Sequence, residues 1–281
     1  MNCMTKLGWM SLGVVLVFTG CSQPQPNPPA TQSSPAATRS AFNHQPLNEL
    51  LTAHVDRDGL VDYAALKNER AKLNQYLTTL GAAQPAQFPN DAERLAFWIN
   101  AYNAFTLADV LDDIIGKHKS VKEIEKAFFA TKKHPVAGEQ LTLDEIERKG
   151  RDLNDARIHF AVNCASRSCP KLQREAFTGA ELEAQLNRAA REFLADSGRG
   201  MSYHPSQNVV YLSPIFKWYA ADFTATNKVV ARVKAETSGA ELLEVALKYV
   251  PPEVVQYFAE KKPKVDYLEY DWSLNAKEPT T

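Results

Sequence analysis

Apolar and polar positions change their period several times along this chain, and each change marks an element. After the turn signal Asp56-Arg57-Asp58-Gly59 a short extended stretch, Leu60–Tyr63, leads into a helical pattern through about Leu80. Asn90 and Asp91 can cap the next helix, which runs to about Ile115 and carries Leu95, Phe97, Trp98, Ile99, Tyr102, Phe105, Leu107, Val110 and Leu111. Those residues lie on nearly every face, so this helix is expected to be central and buried. Its Asn100 and Asn103 then need partners, since an unpaired buried amide costs about 1–3 kcal/mol. They either clamp neighbouring backbone or line a pocket. Helices are predicted at Val121–Thr131 and at Thr142–Lys149, the latter with a capping box of Thr142 and Glu145. From Arg157 to Asn163 the period becomes two, which predicts a strand with Ile158, Phe160 and Val162 on one face and Arg157, His159 and Asn163 on the other. A helix over 178–195, a hairpin around Tyr203 to Leu212, helices near 213–221 and 239–260 and a strand over 265–272 complete the pattern. The predicted class is α+β: a mainly helical single domain with a small, mostly antiparallel sheet.

Charge removes one class of partner. Lys and Arg total 32 against 33 Asp and Glu, so no global field draws the chain to nucleic acid. The first twenty residues change the picture more. Lys6, an apolar run from Leu7 to Phe18 and then Thr19-Gly20-Cys21 have the layout of an export signal ending in a lipobox. Cleavage before Cys21 and acylation of its thiol are expected to tether the protein to a membrane, because two or three acyl chains make a stable anchor. Ser22, where Asp would be the usual inner-membrane retention signal, favours the outer membrane, facing the periplasm. Residues 21–41 are rich in Pro, Gln and Ser and read as an extended tether. The folded domain is expected over 42–275, with a disordered tail at 276–281. No later stretch reaches the roughly 20 apolar residues of a spanning helix.

The segment from Arg157 to Pro170 gathers most of the reactive side chains. One face of its predicted strand delivers Arg157, His159 and Asn163 beside Cys164, Ser166, Ser168 and Cys169. Once Cys21 is acylated, Cys164 and Cys169 are the thiols that remain in the mature protein, and in an oxidising envelope they can form a local disulfide that only clips the loop. A sharper reading makes Cys164 a nucleophile with His159 as its base, in a hydrolase or acyl transferase. A third is thiol–disulfide exchange, although the spacing is not Cys-x-x-Cys. Zinc on His159, Cys164 and Cys169 would have irregular spacing and lacks an identified fourth ligand, so no metal or cofactor is expected. Tyr267, Glu269 and Asp271 alternate with apolar residues, and pairing of that strand with 157–163 would set an acid beside His159. Calcium at Asp56-Arg57-Asp58-Gly59 is disfavoured, because Lys67 stands where the bidentate Glu is required.

Three motifs, Leu95-Ala-Phe-Trp-Ile-Asn-Ala-Tyr-Asn-Ala104, Arg157-Ile-His-Phe-Ala-Val-Asn-Cys-Ala-Ser-Arg-Ser-Cys-Pro170 and Tyr267-Leu-Glu-Tyr-Asp-Trp-Ser-Leu-Asn275, resemble the family called domain of unknown function 547 over roughly residues 45–275. The family name assigns no activity. The resemblance implies that Trp98, Asn100, Tyr102, Asn103, His159, Asn163, Cys164, Ser166, Cys169, Pro170, Tyr270 and Asp271 meet in three dimensions. Trp98, Asn100, Tyr102, Asn103, Asn163, Ser166 and Asp271, with Arg157 added from the polar face of the predicted strand, are the candidate binding residues, and His159 and Cys164 remain the candidate catalytic pair. A non-catalytic binding or scaffold module that takes an envelope protein or a cell-wall component in a pocket lined by Trp98, Asn100, Tyr102 and Asn103, with the cysteines forming a structural clip, is the alternative from another class.

Overall fold

The computed structural model of the chain describes residues 40–225 and 239–278. The expected signal peptide, Cys21, the tether up to residue 39 and residues 279–281 of the expected tail lie outside them. Helices α1 (Gln45–His54), α2 (Tyr63–Asn68) and α3 (Arg70–Gly81) precede the long α4 (Asp91–Asp109), which opens with the Asn90 side chain accepting from the Glu93 amide at 2.9 Å. Every residue of α4 from Leu95 to Asp109 is buried, as its all-round apolar pattern requires. It runs on into a wider turn, Val110–Ile114, closed by the Ile115 amide donating to the Val110 carbonyl.

The expected helix at 121–131 is split into a tight turn at Val121–Ile124 and α5 (Glu125–Ala130). A hairpin that the pattern does not signal follows, β1 (His134–Val136) paired antiparallel with β2 (Glu139–Leu141), its turn made by Ala137 and Gly138 at positive φ. Then comes α6 (Leu143–Arg151), with both halves of the Thr142/Glu145 capping box formed. At Gly150 α6 packs closely on α4 and on the segment that follows α6: an added Cβ would lie 3.3 Å from Trp98 Cβ and 2.5 Å from Ile158 Cδ1. Glycine costs a helix roughly 1 kcal/mol, and here it permits that approach.

The strand expected at Arg157–Asn163 is instead a tight helical turn, Ala156–Phe160, which the Asp155 carboxylate starts by accepting from the Arg157 amide at 3.0 Å. The period of two has another cause here. Ile158 and Val162 pack into one hydrophobic cluster, with α1–α6, while Phe160 packs into a second, with α7 (Leu182–Ala195) and the elements that follow it. A segment squeezed between two cores alternates in polarity without being extended.

β3 (Met201–His204) and β4 (Val209–Leu212) form the expected antiparallel hairpin, and β5 (Lys264–Tyr267) adds parallel to β4. Strand β5 therefore does not pair with 157–163, and Glu269 and Asp271 are not the acids beside His159. Helices α8 (Pro214–Trp218), α9 (Ala220–Ala225), α10 (Gly239–Ala246) and α11 (Pro252–Lys261) complete the described fold, which is α+β and mainly helical. The compact unit spans Arg39–Thr281. Beyond β5 the chain returns to the first cluster: the Val61 amide donates to the Asn275 carbonyl, and the Lys277 amide to the Val61 carbonyl, both at 2.9 Å. Ala276 and Lys277 are thus held by the domain, two residues past its expected end. The Asp56–Gly59 segment is a turn with Gly59 at φ +76°, packed where a Cβ would lie 2.9 Å from the Leu172 amide nitrogen.

Candidate active site

Two asparagines on α4 set the position of the cysteine loop. The Asn103 carboxamide donates to the Ala161 carbonyl at 3.0 Å and accepts from the Asn163 amide at 2.9 Å. One turn earlier Asn100 does the same to Phe177, donating at 2.7 Å and accepting at 3.0 Å. Both side chains clamp backbone. Asn163 continues the scaffold by donating to the Pro170 carbonyl and accepting from the Ala165 amide and the Asn275 carboxamide. Ala165 is held at φ +63°, an unusual conformation for a residue with a Cβ. The C-terminal segment locks the loop from outside through Arg167 N–H to Ser273, Ser168 N–H to Asp271 and Asn275 N–H to Ala165.

This frame presents Cys164 and Cys169 to a cavity of about 610 Å³ that Tyr102, Glu147, His159, Tyr219 and Tyr270 also line. Both cysteines are free, with their sulfurs 2.7 Å apart. The expected disulfide is therefore absent, and the two thiols face each other within reach of forming one. Their environments differ. Burial alone would push the Cys164 thiol up, but hydrogen bonds from the Cys169 thiol, the Ser166 hydroxyl and amide and the Tyr270 hydroxyl outweigh it and hold Cys164 well below the ordinary thiol range. Cys169 is pushed the other way by burial and by the Cys164 thiolate. Ser166 Oγ lies 3.0 Å from both Cys164 Sγ and Tyr270 Oη.

His159 lies in the same cavity but makes no hydrogen bond to Cys164 among the described residues. Its Nε2 is 2.8 Å from Asp222 Oδ2, and its ring stacks on Tyr219 at 3.9 Å between centroids. Asp222 is bound from the other side by the Arg151 guanidinium. Burial lowers the His159 pKa and the Asp222 carboxylate only partly restores it, so the ring is neutral with its proton on Nε2. The Nδ1 lone pair then faces Glu147 Oε1 at 3.8 Å. For Asp222 the bonds from His159 and Arg151 overcome the cost of burial and hold the carboxyl far below its usual range. Burial drives Glu147 up, to about 7, against the pull of the Tyr219 hydroxyl and Arg151.

The loop amides bear on what this cavity can catalyse. Cys164 N–H donates to Cys169 Sγ, Ala165 N–H to Asn163 Oδ1, Arg167 N–H to Ser273, Ser168 N–H to Asp271 and Cys169 N–H to Ser166. These five amides are not free for an oxyanion.

The structure brings together His159, Cys164, Ser166 and Tyr102 from the candidate set. Trp98 packs behind, edge-on to Phe97. Arg157 is turned away to Asp155, Glu183 and Asn187. Asp271 accepts from Ser273 and holds the loop from outside the cavity. Glu147, Asp222, Tyr219 and Trp218 escaped the sequence reading. Glu147 left a signal: Leu143, Ile146, Glu147 and Gly150 form the buried stripe of α6, and a carboxylate inside an apolar stripe calls for a reason. Asp222 left none. Among the described residues no group of three or more His, Cys, Asp or Glu is arranged to hold a metal ion.

Residues 86–194 match the model of the family described as "Protein of unknown function, DUF547". Over those residues the chain carries a DUF547 domain. The matched span contains Tyr102, Glu147, His159 and both cysteines, whereas Trp218, Asp222, Tyr270 and Trp272, which complete the site, lie beyond it. No curated protein and no solved structure matches the chain.

Proposed function

We propose that this DUF547 domain is a thiol–disulfide exchange module in which Cys164 attacks and Cys169 resolves. The carrying observation is the asymmetric pair: sulfurs 2.7 Å apart, the half-buried one favoured as thiolate and its more deeply buried partner favoured as thiol. In the first step the Cys164 thiolate bonds to one sulfur of a substrate disulfide and expels the other as a thiolate. Cys169 then loses its proton and bonds to Cys164, breaking the mixed disulfide and releasing the second substrate thiol. The substrate gains two electrons and the domain is left with a Cys164–Cys169 bond, which an external dithiol must reduce before another cycle. Run backwards, the same steps oxidise a dithiol.

The proposed setting is the cell envelope, with the domain anchored by lipid on Cys21. That placement is supported by the export pattern, the lipobox and the Pro-rich tether. No described helix is long and apolar enough to cross a membrane.

The test is the redox potential of the pair, read by mass-mapped alkylation in glutathione buffers. Reversible exchange between roughly −120 and −270 mV is expected. A bond that stays formed below roughly −300 mV would make the loop a structural clip and leave the cavity to a binding or scaffold role. A second reading, Cys164 as nucleophile of a hydrolase or acyl transferase, is favoured by the His159 ring that Asp222 orients in the same cavity. It requires an acyl–Cys164 adduct from an activated ester, trapped by mass spectrometry and lost in His159→Ala. The five committed loop amides argue for exchange over acyl transfer.

A further inference from the structure

Glu147 stands out among the buried polar groups of the cavity. It is only 7 % exposed, and its Oε1 has no hydrogen-bond partner among the described residues. The nearest ring nitrogen, His159 Nδ1, stands 3.8 Å away, beyond bonding distance. An unpartnered buried carboxyl oxygen carries a free-energy cost and calls for a reason. The exchange chemistry supplies one. Cys169 is the thiol disfavoured as an anion, yet it must become the nucleophile of the second step, and a proton acceptor inside the cavity is needed at that moment.

We propose that Glu147 is the proton-transfer group of the dithiol: through water in the cavity its carboxylate takes the proton of Cys169 as the Cys164–Cys169 bond forms, and returns it to the departing substrate thiolate. This rests on the exchange reading above. The atoms balance, since one S–S bond forms, one breaks and the proton passes from Cys169 to the leaving sulfur. Direct contact is not required, because a cavity of about 610 Å³ has room for several waters at roughly 30 Å³ each.

The other titratable groups facing this space are less suited. His159 has Nε2 committed to Asp222 and is made a poorer base by burial. The Tyr270 hydroxyl lies within bonding distance of Cys164 Sγ, and burial together with the thiols pushes its own ionisation up. Tyr102 and Tyr219 are likewise held neutral by burial. Arg151 is bound to Asp222, and Lys122 to Glu125. Asp144 is open to solvent at the rim. Glu147 combines burial, a free oxygen and a pKa of about 7, where a carboxyl can both accept and return a proton near neutrality.

The test follows two sequential releases from a chromogenic nitrobenzoate disulfide added to the reduced full chain carrying Cys3→Ser and Cys21→Ser, so that Cys164 and Cys169 are its two thiols. The first release reports attack by Cys164, and the second reports resolution by Cys169. In Glu147→Gln the first release should stay within about threefold of wild type, while the second should slow by roughly 10²-fold and lose its inflection near pH 7. Glu147→Asp, which keeps a carboxyl, should retain an inflection at a shifted pH. An unchanged second release in Glu147→Gln overturns the proposal. Should that variant not fold, an inflection left in place by Glu147→Asp does so. Absence of any second release from wild type, or its persistence in Cys169→Ser, would instead defeat the exchange reading and the Glu147 role with it.

Discussion

Keeping Glu147 protonated near neutrality ties the stability of the domain to pH. Its carboxyl rises from 4.5 to about 7 on folding, with burial as the main cause. The folded state therefore holds more protons than the unfolded chain between those values, and stability falls as pH rises through that window. Above pH 7 the full cost is present, roughly 3 kcal/mol at about 1.36 kcal/mol per tenfold change in proton affinity. Glu147→Gln carries no charge to bury. It is expected to resist urea better than wild type at pH 8, by up to that amount, and to lose its advantage by pH 4.5. Parallel urea midpoints for the two proteins from pH 4.5 to 8 would refute the buried-acid account. A residue that weakens the fold where the proposed chemistry needs it is typical of a site selected for function over stability.

At the scale of elements, the position of the reactive loop depends on helix α4 gripping backbone that has no regular structure of its own. Asn103→Ala would leave the Ala161 carbonyl and the Asn163 amide buried without partners. At about 1–3 kcal/mol for each of the two unsatisfied groups, a loss of roughly 2–6 kcal/mol is expected in chemical denaturation. The loop should loosen as well, so that Cys164 alkylation in the variant shifts towards the pH dependence of an ordinary thiol. A loss under 0.5 kcal/mol with unchanged alkylation would show that the clamp is dispensable. The clamps were half legible. The sequence showed that two amides in an apolar helix need partners, but the partners, Ala161, Asn163 and Phe177, are 58 to 77 residues away. The capping box of α6 was fully legible because its donors and acceptors lie within four residues. The turn at Ala156–Phe160 was misread because its alternation reflects burial from two sides, which a single-face pattern cannot distinguish from a strand.

Across the whole molecule, two hydrophobic clusters meet at that turn, and the segment after β5 is bonded to Val61 near the start of the domain. Cys21 lies ahead of the compact unit Arg39–Thr281. Cys21→Ala in the producing cell is therefore expected to shift the protein from the membrane fraction to the soluble one while leaving its thermal midpoint unchanged. Retention in the membrane fraction would count against lipid anchoring through Cys21.

What the sequence determined by itself is local: helix caps, the buried character of α4, the β3–β4 hairpin, the Gly59 turn, and the loop in which Cys164 and Cys169 face one another. These rest on contacts between residues close in the chain, or on periodicity along one element. Tertiary structure decided the chemistry around them. It turned Arg157 away, set Asp222 against His159 from 63 residues downstream and placed Tyr270 at Cys164 from 106 residues downstream. It also buried Glu147 beside the same cavity. Proton affinities are set by desolvation and by charges a few ångströms away in space. Neither is encoded in spacing along the chain, so the reactive thiols could be named from the sequence while the groups that tune them could not.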